Sequence, residues 1–318
     1  MVDILAHCEE SFLVEHGVRK GVMQLIDGHR AADIRRVMVS PSEVSGGSAA
    51  NTVAGLADLG CRTAYVGKVV DDRLGHVFAD DIRRLGVKYE TPMTPPGEGT
   101  DTGCCMVLVT PDGERSMNTY LGASETLGSR DIDRSLMERT GWIYLEGYRF
   151  DGPDGHAAFA RAIEYCKAGG GCVSLTLSDP YCVSRHLSSF RRMVRDDVDL
   201  LFCNQHELKA LYGIDDLERA VEKARKEVAI LACTLGSEGA VVVSGKNLRR
   251  VSARPGPVVD VTGAGDLFAA GFLYGLTAGF EPELCARLGC LSAGEVIRHV
   301  GARPRTDLRE LVHRELNS

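Results

Sequence analysis

Apolar positions along the chain follow two rhythms. From residue 131 onward, short apolar strings alternate with segments of helical periodicity. A helix over 131–139 leads to a strand at 142–145, and one over 154–168 to a strand at 172–177. A helix over 184–195 leads to a strand at 200–203, and two short helices in 205–227 lead to a strand at 228–234. Short apolar strands separated by helices predict an α/β fold with a doubly wound, mostly parallel central sheet flanked by helices. Residues 45–86 fit the same scheme. A glycine turn opens a helix closed by Gly60, a strand follows from Thr63, and an amphipathic helix runs from Leu74 to Leu85. The remainder does not alternate in this way. Residues 1–6 look like the end of a buried strand, and 7–45 read as a linker with short strands. Segments 102–110 and 115–121 flank Pro111-Asp-Gly113 as a β-hairpin. The hairpin and parts of 8–40 are therefore assigned to a small β appendage. Near the C-terminus, Pro255-Gly-Pro-Val-Val reads as a loop entering a short strand, followed by a glycine turn and a long apolar helix.

Composition narrows the class without naming a function. The chain has 318 residues, 44% hydrophobic and 25% charged, with a net charge of −7. These values suit a soluble globular protein and argue against a general nucleic-acid or anionic-membrane binder. No apolar run approaches the roughly 20 residues needed to span a bilayer, and no secretory signal is visible. The eleven cysteines include no C-x-x-C pair, which fits reduced thiols in a cytoplasmic protein.

The candidate chemistry lies in polar, glycine-containing loops that follow strands, where ligands collect in sheets of this type. The first loop is Asp260-Val-Thr-Gly-Ala-Gly-Asp266. Gly263 and Gly265 permit a tight turn at a helix N-terminus, whose N–H groups and positive dipole end suit an anion such as phosphate. Asp266, in the first helical turn, reads either as a stabilising acidic residue or as a base beside that anion. A cradle plus a base is what phosphoryl transfer to an alcohol requires. There is no P-loop and no Rossmann fingerprint. Asn204-Gln-His-Glu207 reads as an N-cap with its capping box, or as a place where Glu207, and Asn204 through water, approach Mg²⁺ and triphosphate oxygens. Thr234-Leu-Gly236-Ser-Glu-Gly239 is a hairpin turn or a nucleotide contact. Gly46-Gly47-Ser-Ala-Ala-Asn51 permits close packing, yet Asn51 needs hydrogen-bonding partners inside an apolar helix. Asp3 is a similar oddity within Val-Asp-Ile-Leu. Together the two could grip a sugar diol.

Taken in chain order, the motifs at Gly46–Asn51, Asn204–Glu207, Thr234–Gly239 and Asp260–Asp266 resemble the ribokinase-like (PfkB) family of sugar and nucleoside kinases, over nearly the whole chain. The resemblance implies a single kinase domain over 1–318 with a small β-sheet lid formed by parts of 8–40 and 88–122. It also implies ATP as phosphate donor, with Mg²⁺. By the same resemblance, Asp266 is the catalytic base, and Gly263, Ala264 and Gly265 form the anion hole. Asp3, Gly46, Gly47 and Asn51 bind the acceptor. Asn204, Glu207, Thr234, Gly236 and Gly239 border ATP and magnesium, with Glu207 reaching the metal through water. Asp260 resembles the family's site for a monovalent cation such as K⁺. Val2-Asp-Ile-Leu, 174–178 and 293–302 are most similar to the adenosine kinase branch, which implies a nucleoside acceptor, adenosine foremost. The alternatives are a free sugar (ribose, fructose or a keto-sugar acid) or a catalytically silent ligand binder on the same fold. Family members carry a Gly-Asn pair shortly before the position of Asp3. Here Met1 stands two residues ahead of it, so the true start could lie upstream. Lid strand edges allow either a monomer or a lid-mediated homodimer.

Overall fold

The computed structural model describes residues 1–97 and 99–317, and the chain divides into two compact units. The first comprises residues 1–50 and 64–127, the second 51–63 and 128–318.

In the first unit, β1 (Val2–His7) is followed by α1 (Glu10–Glu15), β2 (Met23–Leu25), α2 (Gly28–Val37) and β3 (Ser42–Ser45). Helix α3 (Ser48–Asp58) opens here and continues into the second unit from Asn51. Then come β4 (Ala64–Tyr65), α4 (Arg73–Arg84), β5 (Lys88–Tyr89), β6 (Cys104–Val109) and β7 (Arg115–Tyr120). Five of these strands form one mixed sheet in the order β2-β7-β6-β1-β3. The 102–121 hairpin forms as expected, with β6 and β7 antiparallel and Gly113 at φ 85° in the turn. β1 runs parallel to β6 along its whole length and antiparallel to β3. It is thus an interior strand of this five-stranded sheet and not part of the parallel sheet of the second unit.

Two expectations are corrected here. Residues 7–45 are not a linker: they contain α2, whose N-cap Asp27 accepts the Arg30 N–H and whose Ala31 and Ile34 are buried one turn apart. The strand from Thr63 shrinks to Ala64–Tyr65, which forms a two-stranded sheet with Lys88–Tyr89 among the described residues.

The second unit contains α5 (Arg134–Glu138), β8 (Trp142–Glu146), α6 (Gly155–Ala168), β9 (Cys172–Thr176), α7 (Pro180–Arg185), α8 (Leu187–Asp196), β10 (Leu200–Asn204), α9 (Gln205–Tyr212) and α10 (Leu217–Ala224). It continues with β11 (Ile230–Thr234), β12 (Ala240–Ser244), β13 (Asn247–Val251), α11 (Ala264–Thr277), α12 (Pro282–Val296) and α13 (Leu308–Leu316). Its six strands lie in the order β13-β12-β11-β10-β9-β8, with β8 to β11 parallel and an antiparallel edge from β12 and β13. Both faces are covered: Leu200, Leu201, Phe202 and Cys203 are all buried although successive side chains point to opposite sides. Phe268, Phe272, Cys285 and Ala286 of α11 and α12 pack on the face carrying Leu200, Phe202, Ala232 and Val242. A β-carbon on Gly55 would stand 2.7 Å from Leu267 Cδ1 and 2.9 Å from Ala270 Cβ, so this glycine lets α3 approach α11 closely.

The short strand expected at 255–259 does not form. Pro255 and Pro257 lack ladder donors, and the Val259 and Asp260 N–H groups both bond to the Ile297 carbonyl at the end of α12. None of the eleven cysteines is in a disulfide. Among the described residues no helix is long and apolar enough to cross a membrane.

Candidate active site

The predicted residues fall into two sets, each built within its own unit. In the first unit, Asp3 of β1 pairs in register with Val44 of β3, and Gly46 follows, its N–H bonded to the Met1 carbonyl. A β-carbon on Gly46 would lie 2.3 Å from Asp3 Oδ2. The carboxylate therefore occupies the space that makes position 46 a glycine. Gly47 takes φ 96°, which its lack of a side chain permits.

In the second unit the glycine turn opens α11 as expected. Gly263 sits in the left-handed region at φ 80°, and a β-carbon there would stand 2.8 Å from Ala302 Cα. The Ala264 N–H is taken by the Val261 carbonyl at 3.1 Å. Gly265 differs: it is exposed, and apart from its chain neighbours and its own helix backbone no described residue lies within 4 Å of where its β-carbon would be. This open flank at the N-terminal end of a fourteen-residue helix fits the approach of an anion.

Asp266 is half-buried in the first turn of α11, and its Oδ2 accepts a hydrogen bond from Asn51 Nδ2 at 2.9 Å. Asn51 is 5% exposed, and its Oδ1 accepts from Arg303 Nε at 2.8 Å. The partner that a buried Asn51 demanded is thus the predicted base on one side and an arginine on the other. Tyr144 of β8 also belongs here. Burial first, and then the Asp266 charge, push its hydroxyl well above the ordinary tyrosine range, so it stays protonated.

Asp260 is buried, with Oδ1 accepting the Thr262 N–H at 3.0 Å and Oδ2 the Gly301 N–H at 2.8 Å. It ties the glycine turn to the loop that carries Arg303. Glu295 anchors the same loop from the other side, its Oε1 accepting the Arg305 and Thr306 N–H groups.

At the carboxyl edge of the parallel strands, Asn204 ends β10 in register with Thr234, which ends β11. Two of the four loops expected on one edge therefore share it. The Gly46–Gly47 loop belongs to the other sheet, and the Gly263 turn follows no strand. The capping box is complete. Asn204 Oδ1 accepts the His206 and Glu207 N–H groups at 2.8 and 2.9 Å, and Glu207 Oε2 accepts the Asn204 N–H at 2.9 Å. Glu207 is 5% exposed, and burial, aided by the charge of Asp179, raises its carboxyl from an ordinary 4.5 to about 7. Asp179, Glu146 and Glu207 all act on the Tyr148 hydroxyl, which burial and these charges push up. These carboxylates gather negative charge at this end of the sheet, which fits a divalent cation. Among the described residues no three His, Cys, Asp or Glu side chains converge closely enough to cage a metal ion directly. Gly239 has a structural explanation: at φ 96°, a β-carbon would lie 1.9 Å from the Val251 carbonyl oxygen. Gly236, at φ 61°, faces open space.

The Glu207 environment sets a testable pH dependence. A carboxyl whose pKa is higher folded than unfolded favours the folded state most at low pH, and that advantage disappears as pH rises from about 4.5 through about 7. The ionised side chain then costs on the order of 3 kcal/mol. In EDTA, Glu207→Gln should melt above the parent at pH 8. At pH 5 it should melt no higher, because the parent carboxyl is then neutral and carries no buried charge for glutamine to remove. A parent whose advantage does not change across this range would contradict the burial argument.

Reading the sequence missed Arg303, Tyr144 and the acidic neighbours Asp179 and Glu146. For Arg303 a signal was within reach: Gly301-Ala-Arg-Pro begins inside the 293–302 segment, one residue short of it.

Comparisons with known proteins show the family and the fold. The model for the pfkB family of carbohydrate kinases matches residues 27–308. The crystal structure of adenosine kinase from Sinorhizobium meliloti superposes with a TM-score of 0.92 at 45% identity, covering 99% of this chain and 96% of that one. A probable sugar kinase protein from Rhizobium etli superposes with a TM-score of 0.92 at 42% identity, covering 99% and 95%. An uncharacterized sugar kinase of Archaeoglobus fulgidus is 32% identical over 78% of this chain and 96% of its own length. The chain has the ribokinase-like α/β fold and belongs to the pfkB family of carbohydrate kinases, phosphotransferases that act on an alcohol group.

Proposed function

We propose that the protein transfers the γ-phosphate of ATP to a primary hydroxyl of a nucleoside, adenosine foremost. The observation that carries this reading is Asp266, held by Asn51 at 2.9 Å in the first turn of α11, directly after an open glycine flank. In this mechanism Asp266 accepts the hydroxyl proton as the hydroxyl oxygen bonds to the γ-phosphorus. The bond from that phosphorus to the bridging oxygen breaks, and ADP leaves. The N–H groups at the start of α11 stabilise the charge on the migrating phosphoryl group. Mg²⁺, when bound near Glu207 through water, neutralises triphosphate charge. Asp3, with Gly46 making room for it, and Gly47 are assigned to the acceptor hydroxyls. Parts of 8–40 and 88–122 are assigned the part of a lid that excludes water from the transfer. Asp260 is retained as a candidate neighbour of a monovalent cation.

The choice of a nucleoside rests on the 45% identity to the Sinorhizobium meliloti adenosine kinase. The likeness to the Rhizobium etli probable sugar kinase, at 42%, supports the second reading, the same chemistry on ribose, fructose or a keto-sugar acid. An ATP-coupled assay across nucleosides and these sugars separates the two. Turnover of adenosine well above that of every free sugar is expected, and rapid sugar turnover beside inert nucleosides would reject the first reading.

A further inference from the structure

Asn51 is a terminal amide with two chemically different ends, and both are occupied. Its Oδ1 accepts from Arg303 Nε at 2.8 Å, and its Nδ2 donates to Asp266 Oδ2 at 2.9 Å. A guanidinium is always protonated and can only donate. Whatever atom of Asn51 faces Arg303 must therefore be the oxygen, which leaves the NH₂ pointing at the carboxylate. Turned over, the same amide would set NH₂ against a cation and an oxygen against an anion, losing both bonds. Because the amide is nearly inaccessible to water, those losses would not be made good by solvent.

We infer that Arg303 is a positioning residue for phosphoryl transfer: it locks the orientation of the Asn51 amide, which in turn holds the Asp266 carboxylate in place. The inference rests on the reading of Asp266 as the base. The loop carrying Arg303 is built for such a task. It leaves α12 and is pinned at Gly301 by buried Asp260 and at Arg305 and Thr306 by Glu295, on both sides of residue 303. Asp260 also accepts the N–H of Thr262, so one carboxylate sets the distance from the arginine loop to the turn that bears Asp266. Arg303, Asn51 and Asp266 come from three separate stretches of chain, and Asn51 bonds to both of the others through its side chain. A base held this way keeps its lone pair on the incoming hydroxyl, and a displacement of about 1 Å at such a centre costs on the order of 100-fold in rate.

The test compares two replacements of similar length. Arg303→Gln keeps a donor that can reach Asn51 Oδ1 but loses the charge, whereas Arg303→Met keeps the bulk and loses the donor. Kinetics are measured on the full chain with MgATP and the acceptor that turns over, adenosine or fructose, alongside melting temperature. Positioning predicts that Arg303→Met lowers kcat about 10- to 100-fold, with each KM within about threefold, and that Arg303→Gln recovers most of the loss. It further predicts that Arg303→Met combined with Asn51→Ala is no slower than Asn51→Ala alone, because the two residues act in series. Parental kcat in Arg303→Met overturns the inference. So does an effect confined to KM, an equal loss in both replacements, or multiplicative losses in the double variant. Asp266→Asn, run in parallel, separates the two claims. If it remains active, the base reading fails; if it is inactive while Arg303→Met keeps the parental kcat, only the positioning role fails.

Discussion

Asp266→Asn is expected to abolish most phosphoryl transfer, lowering kcat by about 10²- to 10⁴-fold, the range for loss of a general base. The replacement isolates proton acceptance because it changes little else. Asparagine has the same shape, and its Oδ1 can still accept from Asn51 Nδ2, now at 2.9 Å from Asp266 Oδ2. Nucleotide affinity, measured by calorimetry, should stay within a few-fold. The melting temperature should move only slightly, since an acidic residue in the first turn of a helix contributes about 0.3–1 kcal/mol. Asp266→Glu provides the geometric counterpart. It retains the base but advances it by one methylene, and a loss approaching 100-fold would be an effect of placement alone. Turnover within threefold of the parent in Asp266→Asn would remove this carboxylate from the chemistry.

The parts of this centre that could be read from the chain were those encoded locally. Gly263, Gly265 and Asp266 are neighbours in sequence, and a turn followed by a helix is written in their order and in the apolar run after them. The Asn204–Glu207 box is equally local, three residues from donor to acceptor. What could not be read was which distant residue answers a local need. Asn51 advertised that an amide in an apolar helix wants partners, but Asp266 lies 215 positions further on and Arg303 another 37 beyond that. Arg303 stands beside Pro304 and Arg305 in a polar loop, where an arginine looks like ordinary surface charge. The same limit explains the sheet assignment of β1. Alternation set the buried face, Val2, Ile4 and Ala6 inward. It carried no information on whether the neighbour would be Cys104–Val109 or a strand of the parallel sheet. Helix α2 was a different kind of miss, since its cap and the buried spacing of Ala31 and Ile34 were present in the sequence but hidden among five polar residues.

Gly265→Ala should separate activity from stability more sharply than any other single change. The two glycines of the turn are there for opposite reasons. Gly263 is required by the chain itself, because at φ 80° and 2.8 Å from Ala302 a side chain would be both strained and obstructed. Gly263→Ala should therefore lower the melting temperature, with a stability loss of at least the roughly 1–2 kcal/mol typical of a left-handed L-residue. Gly265 is required by nothing within the chain: its φ is not positive, and a β-carbon would meet open space. Within a helix, exchanging such a glycine for alanine ordinarily stabilises by about 0.4–1 kcal/mol. Its absence of a side chain is explained if a phosphoryl group must lie against the backbone at that point. A methyl there would push the anion away from the N–H groups of α11, and loss of such stabilisation is worth roughly 10²- to 10³-fold in kcat. Gly265→Ala is thus expected to melt at or above the parent temperature while losing that much turnover, with Gly263→Ala melting below it. Full activity in a folded Gly265→Ala protein would show that no anion approaches the helix on that side. The phosphate would then have to be held by other residues.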